Sequence, residues 1–266
     1  MSVPNPPKCS PASLQMFLLA LADDELVLGH RDSEWTGHAP ILEEDIAFSN
    51  IAQDEIGHSL VWYSLHQDLT DATPDTMVFT RSWTDFVCSR FVEYPKGDFA
   101  YTVVRQFLFD CAELIRLKDL TRSSYTPLAQ TAERIIKEEH YHRLHSQGLV
   151  ERLGDATEES ARRMQAAVDQ AFPQSLGLFE LLDCENELKT AGVFSGHTVL
   201  RSMWLDEVVP VLRGVSLKIP VVQDGAEYQL KCEPEDGGRK KLHTPHLQQL
   251  VHDLQSVHKL APEARW

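Results

Sequence analysis

Gln53-Asp54-Glu55-Ile56-Gly57-His58 and, further along, Lys137-Glu138-Glu139-His140-Tyr141-His142 are two copies of one pattern, Glu-x-x-His. On an α-helix, positions i and i+3 share a face, so each copy presents a carboxylate beside an imidazole. Such a pair can hold one metal ion. The surrounding residues say which face this is. Glu55 follows Phe48 and Ile51 and precedes Trp62 at helical intervals, and Glu139 follows Ala132 and Ile135 in the same way. Both motif acids therefore project toward an apolar interior, where a lone carboxylate costs several kcal/mol unless something compensates it.

Two further acids sit on apolar stripes. Glu25 lies among Leu14, Leu18, Leu21 and Leu28, and Asp110 among Val103, Phe107, Leu114 and Leu117. Glu25 precedes Glu55 by 30 positions and Asp110 precedes Glu139 by 29. The chain thus repeats one hairpin: an inward acid, a connection, then Glu-x-x-His. Glu25, Glu55, His58, Asp110, Glu139 and His142 are the expected ligands of a carboxylate-bridged dinuclear centre in a four-helix bundle. Four carboxylates balance two divalent ions, and mixed oxygen and nitrogen donors suit iron, or manganese, better than thiophilic metals. Asp54 and Glu138 each stand four residues before a motif histidine and are candidate acceptors for the imidazole N–H groups.

Outward from the motifs the chain reads as helix. Ser10-Pro11 opens a first helix, loosened from Gly29 to Gly37. A second is expected from about Pro40 to about Leu69, and a short one from Asp75 to about Phe91. A third long helix starts at an Asp98 cap and reaches about Ser123, and a fourth runs from Pro127 to about Leu153. A fifth is expected from Thr157 to about Phe172, where Pro173 stops it. Residues 175–210 read as less regular helix, Ser216 to Val222 as strand-like and part of a small hairpin, and Pro245 to about Lys259 as a last helix. The expected organisation is all-α, one domain over residues 1–266, with the di-metal core at 12–153 and a C-terminal helical extension at 154–266.

A net charge of −15 over 266 residues disfavours nucleic acid as a partner. The one basic run, Arg239-Lys240-Lys241, reads as a solvated turn. Five scattered cysteines without CxxC spacing argue against disulfides and zinc–thiolate chemistry and fit a reducing, cytoplasmic setting. Leu14 to Leu21 is too short to span a membrane, and no basic-then-apolar leader is visible at Met1 to Pro7. The flanking His30, His38, His140 and His145 read as solvated, capping or core-satisfied groups, Trp35, Trp62 and Trp83 as packing, and Cys111 as a small buried hydrophobe.

With these residues in hand, the chain resembles the phenylacetyl-CoA ring-1,2-epoxidase family, a ferritin-like branch of the bacterial multicomponent di-iron oxygenases. Residues 33–45, 97–110 and 152–165, with the C-terminal helix ending at Trp266, are similar to the family's non-catalytic structural subunit. The two Glu-x-x-His segments instead look like the ligand helices of the catalytic subunit, with Glu25 and Asp110 where its other ligands are expected. The resemblance implies two iron ions and an aromatic acyl-CoA substrate such as phenylacetyl-CoA, epoxidised or hydroxylated with O2. It implies a homodimer, or a heterodimer with another ferritin-like subunit, fed by a separate NADPH-dependent flavin and iron–sulfur reductase. The chain itself has neither a dinucleotide fingerprint nor an iron–sulfur cysteine pattern. The alternative is a structural subunit that scaffolds a separate oxygenase subunit. Arg116, Arg122, Lys137 and Arg143 are basic candidates for a CoA contact by position alone.

Overall fold

Asp98 stands where a helix must begin, and its carboxylate accepts the Tyr101 N–H at 2.9 Å, satisfying one of the donors a helix start leaves open. The computed structural model describes residues 8–225, 227–262 and 264. Its helices, in chain order, are α1 (Pro11–Ser33), α2 (Leu42–Gln67), α3 (Pro74–Phe79), α4 (Arg90–Glu93) and α5 (Phe99–Leu120). There follow α6 (Thr126–Gly154), α7 (Glu158–Ser175), α8 (Glu185–Thr190), α9 (His197–Gly214) and α10 (Pro245–Leu260). Two short strands, β1 (Val221–Asp224) and β2 (Glu227–Leu230), pair antiparallel with Val221 opposite Leu230. The fold is all-α and ferritin-like, with this hairpin as the only sheet among the described residues. No described helix is long and apolar enough to cross a membrane. Trp266 and Met1 to Pro7 lie outside the described residues.

Two compact units share the chain. One comprises Leu14–Pro95 and Gly237–Trp266, the other Met1–Ser13 and Lys96–Asp236. In the second, α5 is the central element and packs on α6, α7 and α9. It is buried on nearly every face, so its polar residues Arg105, Gln106, Asp110, Glu113 and Arg116 are taken out of water with it. Local bonds fasten its neighbours: Trp204 Nε1 donates to the Leu108 carbonyl at 2.9 Å, and the Tyr101 hydroxyl donates to Gln174 Oε1 at 2.7 Å. Thr157 and Ser160 close a reciprocal cap at the start of α7.

Several expectations change here. Gly29 does not loosen α1, which continues through it to Ser33. The single helix expected from Asp75 to Phe91 is α3, a 3₁₀ turn at Trp83–Asp85, an extended stretch and α4. The reason is competition for backbone donors: Val87 N–H goes to Asp23 at 2.8 Å and Ser89 N–H to Asp24 at 2.7 Å, both on α1. Pro173 lies inside α7, which ends at Ser175. A proline so near the end costs only one intrahelical bond. The hairpin forms, but its first strand starts at Val221. Before it, Pro220 has no N–H to give and Lys218 N–H is taken by Gln165 Oε1 at 2.8 Å. Arg239 is not a solvated turn residue; it is buried against Asp24, with Nη2–Oδ2 at 2.5 Å.

Candidate metal centre

Asp23, Asp24 and Glu25 are consecutive on α1, and all three are 0% exposed. Their surroundings differ. Asp23 accepts from the Tyr63 hydroxyl, from Arg81 at 2.5 Å and from Val87 N–H at 2.8 Å. Asp24 accepts from both Arg239 Nη atoms and from Ser89 N–H. Among the described residues neither carboxylate oxygen of Glu25 has a hydrogen-bond partner, and the ring nitrogen it faces, His58 Nδ1, stands 3.9 Å from Oε2. Burying a carboxylate so costs several kcal/mol unless a cation offsets it. The donors around Glu25 fit that cation: Glu25, Glu55 and His58 offer ligand atoms within 4.8 Å of one another, and all are buried.

The backbone is arranged for this approach. A Cβ at Gly29 would lie 3.0 Å from Glu55 Cβ, 2.9 Å from Ile56 Cγ1 and 3.1 Å from the Ala52 carbonyl. Only a residue without a side chain lets α1 lie so close to α2 beside its motif glutamate.

In the other unit, Asp110, Glu139 and His142 likewise offer atoms within 4.8 Å of one another and are fully buried. His142 Nδ1 lies 3.1 Å from Glu139 Oε1. Asp110 Oδ1 accepts from Gln106 Nε2 at 2.7 Å and Oδ2 from Ser146 Oγ at 2.6 Å. Burial, and then the neighbouring Glu139 charge, push the Asp110 carboxyl well above its ordinary range, against smaller opposing effects of His142, Ser146 and Gln106. Two acids are thus crowded together in a dry place, an arrangement a cation relieves.

Each unit therefore holds one carboxylate–carboxylate–histidine triad, and all six expected ligands fall into one or the other. Asp54 is half-buried and Glu138 exposed. Of the basic residues considered for CoA, Arg116 is buried and paired with Glu113, and Arg143 bonds Glu207 at 3.0 Å. Arg122 and Lys137 are exposed. Sequence reasoning missed Gln106 and Ser146. A signal existed: Gln106 is one turn before Asp110, and Ser146 one turn after His142, on the same helix faces.

The sequence pattern of the family described as "Phenylacetic acid catabolic protein" matches residues 5–266. Two relatives in Escherichia coli (strain K12) are both subunits of 1,2-phenylacetyl-CoA epoxidase. The chain is 33% identical to the first over 254 residues, covering 95% of this chain and 99% of that protein. It is 25% identical to the second, a different subunit of that epoxidase, over 206 residues, covering 75% of this chain and 66% of that protein.

Proposed function

Because the chain belongs to the phenylacetic acid catabolic protein family, we propose that it is a di-iron oxygenase component acting on an aromatic acyl-CoA such as phenylacetyl-CoA. Glu25, Glu55 and His58 hold one iron ion; Asp110, Glu139 and His142 hold the other. Bound iron would supply the reduction of O2 that ring epoxidation or hydroxylation needs. The rest falls to the protein. Gln106 and Ser146 each take one lone pair of an Asp110 oxygen and leave others for a metal, which fixes the carboxylate plane. Asp54 and Glu138 steady the imidazoles. The apolar stripes on either side of each triad keep water away from the ligands. Electrons come from a separate NADPH-dependent flavin and iron–sulfur reductase, and the chain pairs with a second ferritin-like subunit in the cytoplasm. That both relatives are named as subunits of one enzyme supports the pairing.

The observation that carries this reading is the contrast on α1. Two of three adjacent buried acids are fully matched to protein donors, and the third, Glu25, is left to a cation. The test is iron content after expression in iron-supplemented medium. Wild type should carry about two ions per chain, Glu55→Ala or Glu139→Ala about one, and the double variant almost none. Full iron in both single variants would sink the assignment. A second reading, a subunit that scaffolds a separate oxygenase, draws on the likeness of residues 33–45, 97–110 and 152–165 to a structural subunit. In it the ligand set is vestigial or binds metal without turnover, and protein without iron or manganese after metal-supplemented expression favours it.

A further inference from the structure

His243, Glu93 and Cys88 form a third group of metal-ligating side chains, in the unit of Leu14–Pro95 and Gly237–Trp266, with ligand atoms within 4.8 Å of one another. The Cys88 residue and the Glu93 and His243 side chains are 0% exposed. His243 Nε2 is 2.7 Å from the Phe86 carbonyl, so that nitrogen carries a hydrogen and donates it. A carbonyl acceptor in this position is what orients a metal-binding imidazole, leaving the other nitrogen as ligand. That other nitrogen, Nδ1, faces Glu93 Oε1 at 2.6 Å, and Cys88 Sγ lies 3.9 Å from the same oxygen. Glu93 Oε2 is held by Thr244 N–H at 2.6 Å, which turns Oε1 toward the other two groups. Three lone-pair donors of three types thus converge on one point, and something positive must stand between them: hydrogens or a metal ion.

We propose that Cys88, Glu93 and His243 bind one thiophilic divalent cation of the zinc class. Sulfur, imidazole and carboxylate together are a zinc donor set. Charge balance favours the exchange. With one hydrogen on sulfur and one shared between Nδ1 and Glu93 Oε1, the cluster sums to zero. Binding a divalent ion releases those two protons and leaves a thiolate, a neutral imidazole and a carboxylate around a charge of +2, again zero. No net charge is buried, so the usual penalty for taking an ion out of water is small. The N···O gap must widen from 2.6 Å to about 3.3 Å to seat a tetrahedral ion.

The surroundings suit a clamp. Gly238 lies against the Cys88 carbonyl so closely that a Cβ there would come within 2.2 Å of it, and Arg239 is locked to Asp24. These contacts deliver His243 to the cluster. Trp83 packs edge-on against the His243 ring and also lines, with Pro245 and His252, an open pocket of about 560 Å³.

The test uses the full chain, stripped with chelator and titrated with Co²⁺. A cobalt–thiolate charge-transfer band should grow and be displaced by Zn²⁺, with its stoichiometry of one ion per chain and the release of two protons read in the Glu55→Ala, Glu139→Ala background, where the triads do not compete for metal. Cys88→Ser should abolish the band while circular dichroism stays unchanged. The Glu55→Ala, Glu139→Ala double variant should keep it, because neither triad contains sulfur; loss of the iron assignment would therefore leave this result untouched. No sulfur band at saturating Co²⁺ in the wild type, or an unchanged band in Cys88→Ser, overturns the proposal. The wild-type result stands by itself should that variant misfold.

Discussion

Asp23, Asp24 and Glu25 have the same charge, depth and helix, so what separates them is only what each carboxylate touches. Removing the Arg239 guanidinium with Arg239→Met leaves Asp24 buried without its cationic partner, and should cost about 3–5 kcal/mol in urea unfolding. Glu25→Gln should behave in the opposite way. Metal-free protein loses no hydrogen bond at Glu25 and should be at least as stable as wild type, while iron content falls by about half. A destabilised metal-free Glu25→Gln would mean that Glu25 has a structural partner instead. Glu185 offers a pH test in the other unit. Burial raises its carboxyl, but the hydrogen bonds and charge of His197, with Nδ1 at 2.6 Å, outweigh that and hold it below the ordinary value. A depressed folded pKa gives stability that is present above the ordinary glutamate pKa and lost as pH falls through the lower value. The deficit of Glu185→Gln against wild type should therefore be full at pH 7 and shrink below about pH 4.5.

Among the elements, the long helices are set by local chemistry and the short ones by distant side chains. The caps at Asp98 and Thr157, and prolines near the starts of α3, α6 and α10, are local signals, and the helices begin where they stand. Thr157→Ala should lower stability by about 1 kcal/mol, read from the denaturant midpoint. The region from α3 to α4 follows other rules. Its backbone donors are drawn to acids on α1, so no periodicity within residues 75–91 foretells the break. Gly29 shows the same limit from the packing side. Its helix-weakening residue type reads as a fraying end, yet it serves close approach to Glu55. Gly29→Ala should push α1 from α2, keep the helix content seen by circular dichroism, and weaken metal binding at the Glu25 triad while the Asp110 triad keeps its ion. Equal loss at both triads would rule this out.

For the molecule as a whole, each compact unit carries one triad, so metal should stabilise both. Ligand that binds only the native state adds about 2.7 kcal/mol at a hundredfold excess over Kd. Adding Fe²⁺ anaerobically to chelator-treated protein should raise the melting temperature, and if the units melt separately, both transitions should move. A shift in one alone would leave the other triad without an ion. The all-α fold and the burial of the faces that carry the six expected ligands were legible from the chain, because helical periodicity and the i, i+3 spacing are local and an acid on an apolar stripe stands out against its neighbours. Contacts made across long stretches of chain were not. Arg239 read as a charge in water because Asp24 is far from it in sequence. Cys88, Glu93 and His243 carried no motif, since nothing in the spacing of a cysteine, a glutamate and a remote histidine announces that a strap pinned at Arg239 returns to meet them. Periodicity specifies which face of a helix turns inward; which group waits there is decided only when the folded chain closes its long loops.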